Sequence, residues 1–241
     1  MSALDAVRAR QSWSKVGDTA PGREELLTLV AAAGRVADHS SLRPWRLIEL
    51  RGSDREALGA AIAQAQGDDA PSTKPLRAPL LIAVVASYRP SEKVPRWEQE
   101  AVASGVAHVL SLLLDEAGWG VIWRTGHYTR SQPVAAMHGL TDDEELLGWL
   151  YVGDKPHGKS PGRRKAVDAR RLLTRLPAGA PAEALADSPA HDATSGAADR
   201  DAAAQTEAER AEKKAKKAAK KAKKKAKKAK KKAKKAKKKS A

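Results

Sequence analysis

The chain has 241 residues and a formal net charge of +16, a balance that taken whole suggests a nucleic-acid binder. The charge is local, however: residues 213–241 hold 19 Lys, 9 Ala and one Ser, so residues 1–212 carry −3. Cysteine is absent, which excludes disulfides, thiolate metal sites and a cysteine nucleophile.

The start, MSALDAVRARQSW, lacks the apolar run of a secretory signal. The most apolar stretch, PLLIAVVAS (79–87), falls far short of the roughly 20 residues a membrane helix needs. The expectation is a soluble, cytoplasmic protein. Residues 2–10 read as a helix, and GREELLTLVAAAGRV (22–36) as a stronger one, with Leu26, Val30 and Ala33 on one face and Glu24 and Glu25 in its first turn. WRLIELRG (45–52) reads as a strand, residues 53–66 as a helix opened by Ser53 and Asp54, and 79–87 as a buried strand. Residues 96–118 form the longest helix, apolar on most sides, which suits the middle of a fold or a subunit interface. A strand (119–126), a short helix (131–138) and a last strand (145–154) follow. This alternation argues for a layered domain with both helices and strands, α+β or α/β.

The character changes near residue 177, where Ala, Pro, Gly and Asp dominate and large apolar residues are scarce. The expected organisation is a globular domain (1–176), a disordered linker (177–206) and a Lys/Ala-rich tail (207–241). Within the tail, Lys213, Lys214, Lys216, Lys217, Lys220 and Lys221 open a series in which Ala recurs at steps of three and four. Lys and Ala are good helix formers, but an Ala stripe buries too little for a coiled coil and the lysines repel one another. The tail is expected to be disordered or frayed until it meets a polyanion. It resembles the Lys/Ala-rich tails of linker histones and bacterial nucleoid proteins, which grip phosphates without reading bases. An anionic lipid surface is the competing partner.

Several chemistries are set aside. GWGVIW (118–123) begins like a dinucleotide fingerprint, but Trp123 stands where the third glycine belongs and the segment leads into a strand. There is no Walker A loop or G-x-S-x-G elbow, and the histidines have no zinc-site spacing. Polar residues do concentrate in RQS (10–12), RVADHSSLRPWR (35–46), KVPRWEQE (93–100) and IWRTG (122–126). Arg10 with Ser12 makes a phosphate grip, or simply an exposed helix end. His39 alone is more often a satisfied structural histidine. Arg124 inside an apolar strand requires a partner or ligand, unless it lies on a wet edge. Glu98 and Glu100 suit a helix N-terminus electrostatically.

Together, RQS (10–12), ADHSSLRPW (37–45), RAPLLIAVV (77–85), KVPRWEQE (93–100), WGVIWRTG (119–126) and GWLYVG (148–153) closely resemble the FMN-dependent nitroreductase family, in its YdjA-like NAD(P)H nitroreductase branch. The resemblance spans roughly residues 1–176. It implies an α+β nitroreductase-like fold, a central mixed sheet flanked by helices, in an obligate homodimer with two FMN molecules at the interface. It implies that Arg10, Gln11 and Ser12 hold the FMN phosphate and ribityl chain, that Arg35 and His39 reach FMN across the interface, and that Trp123, Arg124 and Thr125 line the flavin. NAD(P)H would pass hydride to flavin N5, and a nitroaromatic, quinone or similar small acceptor would follow in ping-pong order, with no side chain acting as acid–base catalyst. Gln11 and Ala37 depart from the family's usual Arg and Pro; Gln11 removes a positive charge but keeps a donor. The alternative is a nucleic-acid-associated protein on a flavin fold that has lost catalysis.

Overall fold

The computed structural model describes residues 2–156, 158 and 166–175. They fall in two units, Met1–Lys165 and Ala166–Ala241. The expected linker (177–206) and the tail lysines lie outside the described residues. In the second unit the described stretch is a short turn of helix whose first backbone donors meet Asp168, with Val167, Leu172 and Leu173 exposed.

In the first unit, helix α1 (Ala3–Ala9) opens on a capping box: Ser2 accepts from the Asp5 amide, and the Asp5 carboxylate accepts from the Ser2 amide, both at 3.2 Å. Helices α2 (Arg23–Ala33), α3 (Ser53–Gln66), α4 (Arg96–Glu116) and α5 (Gln132–Met137) alternate with strands β1 (Trp45–Leu50), β2 (Leu80–Ser87), β3 (Trp119–Arg124) and β4 (Glu144–Asp154). Helix α3 starts as expected at Ser53, but its cap is Gly52 at φ +48°. Asp54 accepts from the Arg51 amide at 3.1 Å, so the carboxylate fastens the turn before the helix.

The four strands lie in the order β1-β2-β4-β3. The α+β architecture, a central sheet flanked by helices, is the one the residues imply. Where a mixed sheet was expected, the ladders β1–β2, β2–β4 and β3–β4 are each antiparallel. The cause is β4: it is last in the chain yet inserts between β2 and β3, which run in one direction and never touch as neighbours.

Strand β2 is buried at every residue because helices cover both faces of the sheet. Leu80, Ile82 and Val84 pack with Leu26 and Ala33 of α2 and with Val106, Leu110 and Leu114 of α4. The alternate residues Leu81, Ala83 and Val85 pack on the opposite side with Leu58 and Ile62 of α3, Val134 of α5 and Trp149 of β4. The period of two along one strand thus divides the core between two helical layers.

Candidate functional site

The chain between α1 and α2 crosses one end of the sheet. The Arg10 amide closes α1 on the Ala6 carbonyl at 2.9 Å. Three residues later the Trp13 amide donates to the Val121 carbonyl at 3.0 Å, docking the chain on the free edge of β3. The Gly17 amide then bonds the Asp154 carbonyl, and Asp154 bonds back to Thr19. The Asp154 carboxylate also accepts from the Thr19 amide at 2.7 Å and its hydroxyl at 2.6 Å. Two glycines make this approach possible. A Cβ at Gly120 would lie 3.0 Å from Val16 Cγ1, and one at Gly153 would lie 2.6 Å from the Gly17 carbonyl oxygen. Gly120, which mimicked a dinucleotide fingerprint in the sequence, serves this close packing.

Strand β3 sends its last residues to opposite faces. Trp123 packs in the α2/α4 layer, edge-on to His108 of α4 with ring centroids 5.1 Å apart. Arg124 points the other way, its guanidinium 5.4 Å from the Tyr151 ring, and donates to the Ser14 carbonyl at 3.3 Å. Burial pushes the Tyr151 phenol up to about 12, against the pull of Arg124 and Arg77, so it stays neutral. Trp123 Nε1 and Arg124 Nε are buried with no hydrogen-bond partner among the described residues. Thr125 follows, exposed, at the strand end.

A second group gathers at the start of α4. Arg35 is exposed just past α2, and His39 Nδ1 meets Glu98 Oε2 at 3.0 Å. Asp38 Oδ2 accepts from the Arg43 amide at 2.7 Å, holding a tight loop in which Ser40, Ser41 and Arg43 adopt positive φ. This loop and α4 wall an open, mainly apolar cleft of about 540 Å³ whose lining includes Val36, His39, Val94, Trp97 and Gly105. The buried Gln99 amide shapes the opposite rim. It accepts from the Arg89 amide at 2.8 Å and donates to the carbonyls of Arg89 (2.9 Å) and Val94 (3.0 Å). The KVPRWEQE stretch is therefore a fastened loop entering a helix.

Trp13 and Ser14, which follow Arg10, Gln11 and Ser12 in the chain, are thus held on β3 at Val121 and Arg124, while His39 sits at the start of α4 against Glu98. The anchors Glu98 and Asp115 lie 17 residues apart in the sequence, about 25 Å along a helix. Trp97, Ala101, Gly105 and His108 share one face of α4, with Trp97 69% exposed. Helical spacing was the signal that could have singled out this face. Trp13 and Asp115 carried no local signal, because their bond joins residues 102 positions apart.

An antiparallel sheet between two helical layers, with Arg124 half-buried at the end of its outer strand, defines an α+β domain. The chain belongs to the nitroreductase family, whose model matches residues 7–154. It is 36% identical over 161 residues to the Escherichia coli (strain K12) protein named "Putative NAD(P)H nitroreductase YdjA", covering 64% of this chain and 88% of that one. A Haemophilus influenzae protein, also named an NAD(P)H nitroreductase with the same qualifier, is 26% identical over 185 residues and covered in full, with 73% of this chain. Among solved structures, a nitroreductase-like family protein from Bacillus cereus superposes with a TM-score of 0.64 at 22% identity, over 73% of this chain and 96% of that one. No helix among the described residues is long and apolar enough to cross a membrane.

Proposed function

We propose that the chain is an FMN-dependent NAD(P)H oxidoreductase, a homodimer holding one FMN per protomer and reducing a nitroaromatic, a quinone or a similar small acceptor. The observation that carries this reading is the union of two distant segments: Trp13 bonds to Val121, and Arg124 to Ser14. That union sets beside β3 a segment whose residues suit a flavin mononucleotide. Arg10 offers a guanidinium fork to phosphate oxygens, and Gln11 and Ser12 offer neutral donors. Arg124 Nε is a buried donor without a partner among the described residues, the kind of group that a ligand acceptor satisfies. Arg124 also holds Ser14 from beneath the sheet end, so it acts on the grip as well as on its contents.

Arg35 and His39 enter through symmetry. A two-fold axis crossing the exposed face of α4 would exchange the two ends of that helix. The Arg35–His39 corner of one protomer would then face the Arg10–Ser12 segment of its partner, with FMN between. When bound, FMN supplies the two-electron chemistry linking NAD(P)H to the acceptor. The chain's own part is to grip the phosphate, orient the ring beside the end of β3, and hold positive charge near it.

Purified protein should carry about one FMN per chain. Arg10→Ala and Arg124→Ala should each raise the FMN Kd by about ten- to a hundredfold, the worth of one hydrogen bond to a charged group. Two variants binding FMN as tightly as the parent would remove both residues from the site. The Lys/Ala tail, with Lys213, Lys214, Lys216, Lys217, Lys220 and Lys221 at its start, is proposed to associate with nucleic acid through phosphates.

A further inference from the structure

A buried carboxylate at the wrong end of a helix calls for a reason. Asp115 lies in the last turn of α4, 8% exposed. There its charge faces the unpaired carbonyls of the helix C-terminus, where a cation is favoured, and its burial removes hydration. Two side chains from remote parts of the sequence compensate. Trp13 Nε1 donates to Asp115 Oδ1 at 3.2 Å. Lys155, just beyond β4, places Nζ 3.4 Å from the same carboxylate oxygen and 2.6 Å from the Asp115 backbone carbonyl. Lys155 thereby supplies the missing cation and satisfies a terminal carbonyl. The lysine would stabilise the helix end without any carboxylate; the carboxylate is needed to accept from Trp13.

Trp13 is the residue that follows Arg10-Gln11-Ser12. Its backbone is held by Val121 of β3 and its indole by Asp115 of α4. The three residues before it run between this double anchor and the end of α1, where Arg10 bonds Ala6. A three-residue segment pinned at both ends has little conformational freedom, which favours binding by lowering the ordering cost.

We propose that Asp115 is the positioning residue of the ligand grip: by fixing the Trp13 indole it sets the place of Arg10, Gln11 and Ser12, and so the affinity for the phosphate of FMN. The inference rests on the flavin reading of that site for its ligand, and on the two contacts of Asp115 for its geometry. Asp115→Asn keeps a side-chain oxygen for Trp13 and loses the charge facing Lys155. Asp115→Ala loses both. Lys155→Met loses only the cation.

Two readouts test it: FMN Kd by fluorescence quenching, and hydrogen exchange of a peptide covering residues 10–14 in protein stripped of FMN. Asp115→Ala should weaken FMN about tenfold, one hydrogen bond's worth, and speed exchange of the peptide by a similar factor. Asp115→Asn should restore both to within about threefold of the parent on the same reckoning. Lys155→Met should lower the melting temperature while leaving the Kd within that range. Parent-like Kd and exchange in Asp115→Ala would overturn the proposal, as would an Asn variant as impaired as the Ala one. If the parent takes up no FMN, the ligand half falls together with the flavin reading. Parent-like exchange in Asp115→Ala would then overturn the tether as well.

Discussion

At the scale of single residues, the buried pair His138 and Trp149 makes a prediction about pH. Trp149 is fully buried, and its Nε1 donates to His138 Nε2 at 3.0 Å. His138 Nδ1 lies 2.8 Å from the Val134 carbonyl, so the ring carries its proton on Nδ1 and accepts on Nε2. A second proton would set two N–H groups against each other. Burial lowers the His138 pKa from its ordinary value; the Val134 carbonyl opposes this and the nearby Arg46 charge adds to it. A histidine with a depressed folded pKa contributes stability that is present above its unfolded value, near 6.5, and lost as pH falls through the folded one. The melting temperature should therefore decline below about pH 6.5. His138→Gln, which keeps an acceptor without titrating, should flatten that slope relative to the parent. An unchanged slope in a pH series of thermal melts would refute the assignment. The sequence showed His138 only as the end of a short helix. Its partner lies across the fold, and hydrogen bonds of this kind leave no periodic trace. The same holds for Arg124, whose odd position in an apolar strand was legible but whose partner, Ser14, was not.

At the scale of elements, β4 contains a bulge that one glycine makes possible. The ladder with β2 pairs Val84 with Gly148 and then Val85 with Leu146, leaving Leu147 as the extra residue. Gly148 sits at φ +135°, and a Cβ there would come 2.5 Å from the Arg124 carbonyl oxygen and 2.8 Å from Trp123 Nε1. Gly148→Ala combines a conformation closed to L-residues with a backbone clash, so it should destabilise the domain by about 2–3 kcal/mol. The same clash falls on the end of β3 and should loosen FMN. Urea unfolding checks the first effect; a midpoint within error of the parent would show that the bulge needs no glycine. The helices and strands were legible in the sequence to within a few residues, because alternation and helical spacing are local properties. The bulge was not, since it appears only when a partner strand defines the register. The path of residues 13–19 along β3 and β4 was hidden for the same reason: Gly120 and Gly153 mark it, but glycines in a strand signal close approach without saying of what.

At the scale of the whole molecule, the order of strands across the sheet was the least legible feature. Strands alternating with helices suggest parallel neighbours, yet chain order does not state where the last strand inserts. The division of charge was plain from composition alone. Residues 1–212 carry −3 and residues 213–241 carry +19, so the domain's chemistry and the tail's association should separate cleanly. A 1–176 truncation should retain FMN while losing the gel shift that full-length protein gives on random-sequence DNA. The affinity of the full-length protein should fall with salt at a log–log slope of about −0.9 per phosphate neutralised. Equal binding by the two forms would deny the tail its role. The central claim is narrower: the Arg10–Ser12 segment, anchored to β3 through Trp13, is proposed to hold a flavin. Its most direct test is the visible spectrum of the full-length protein after incubation with FMN and desalting. A yellow protein with about one FMN per chain, bleached by NADH or NADPH, is the predicted result. A colourless protein that remains colourless after FMN is added would contradict it.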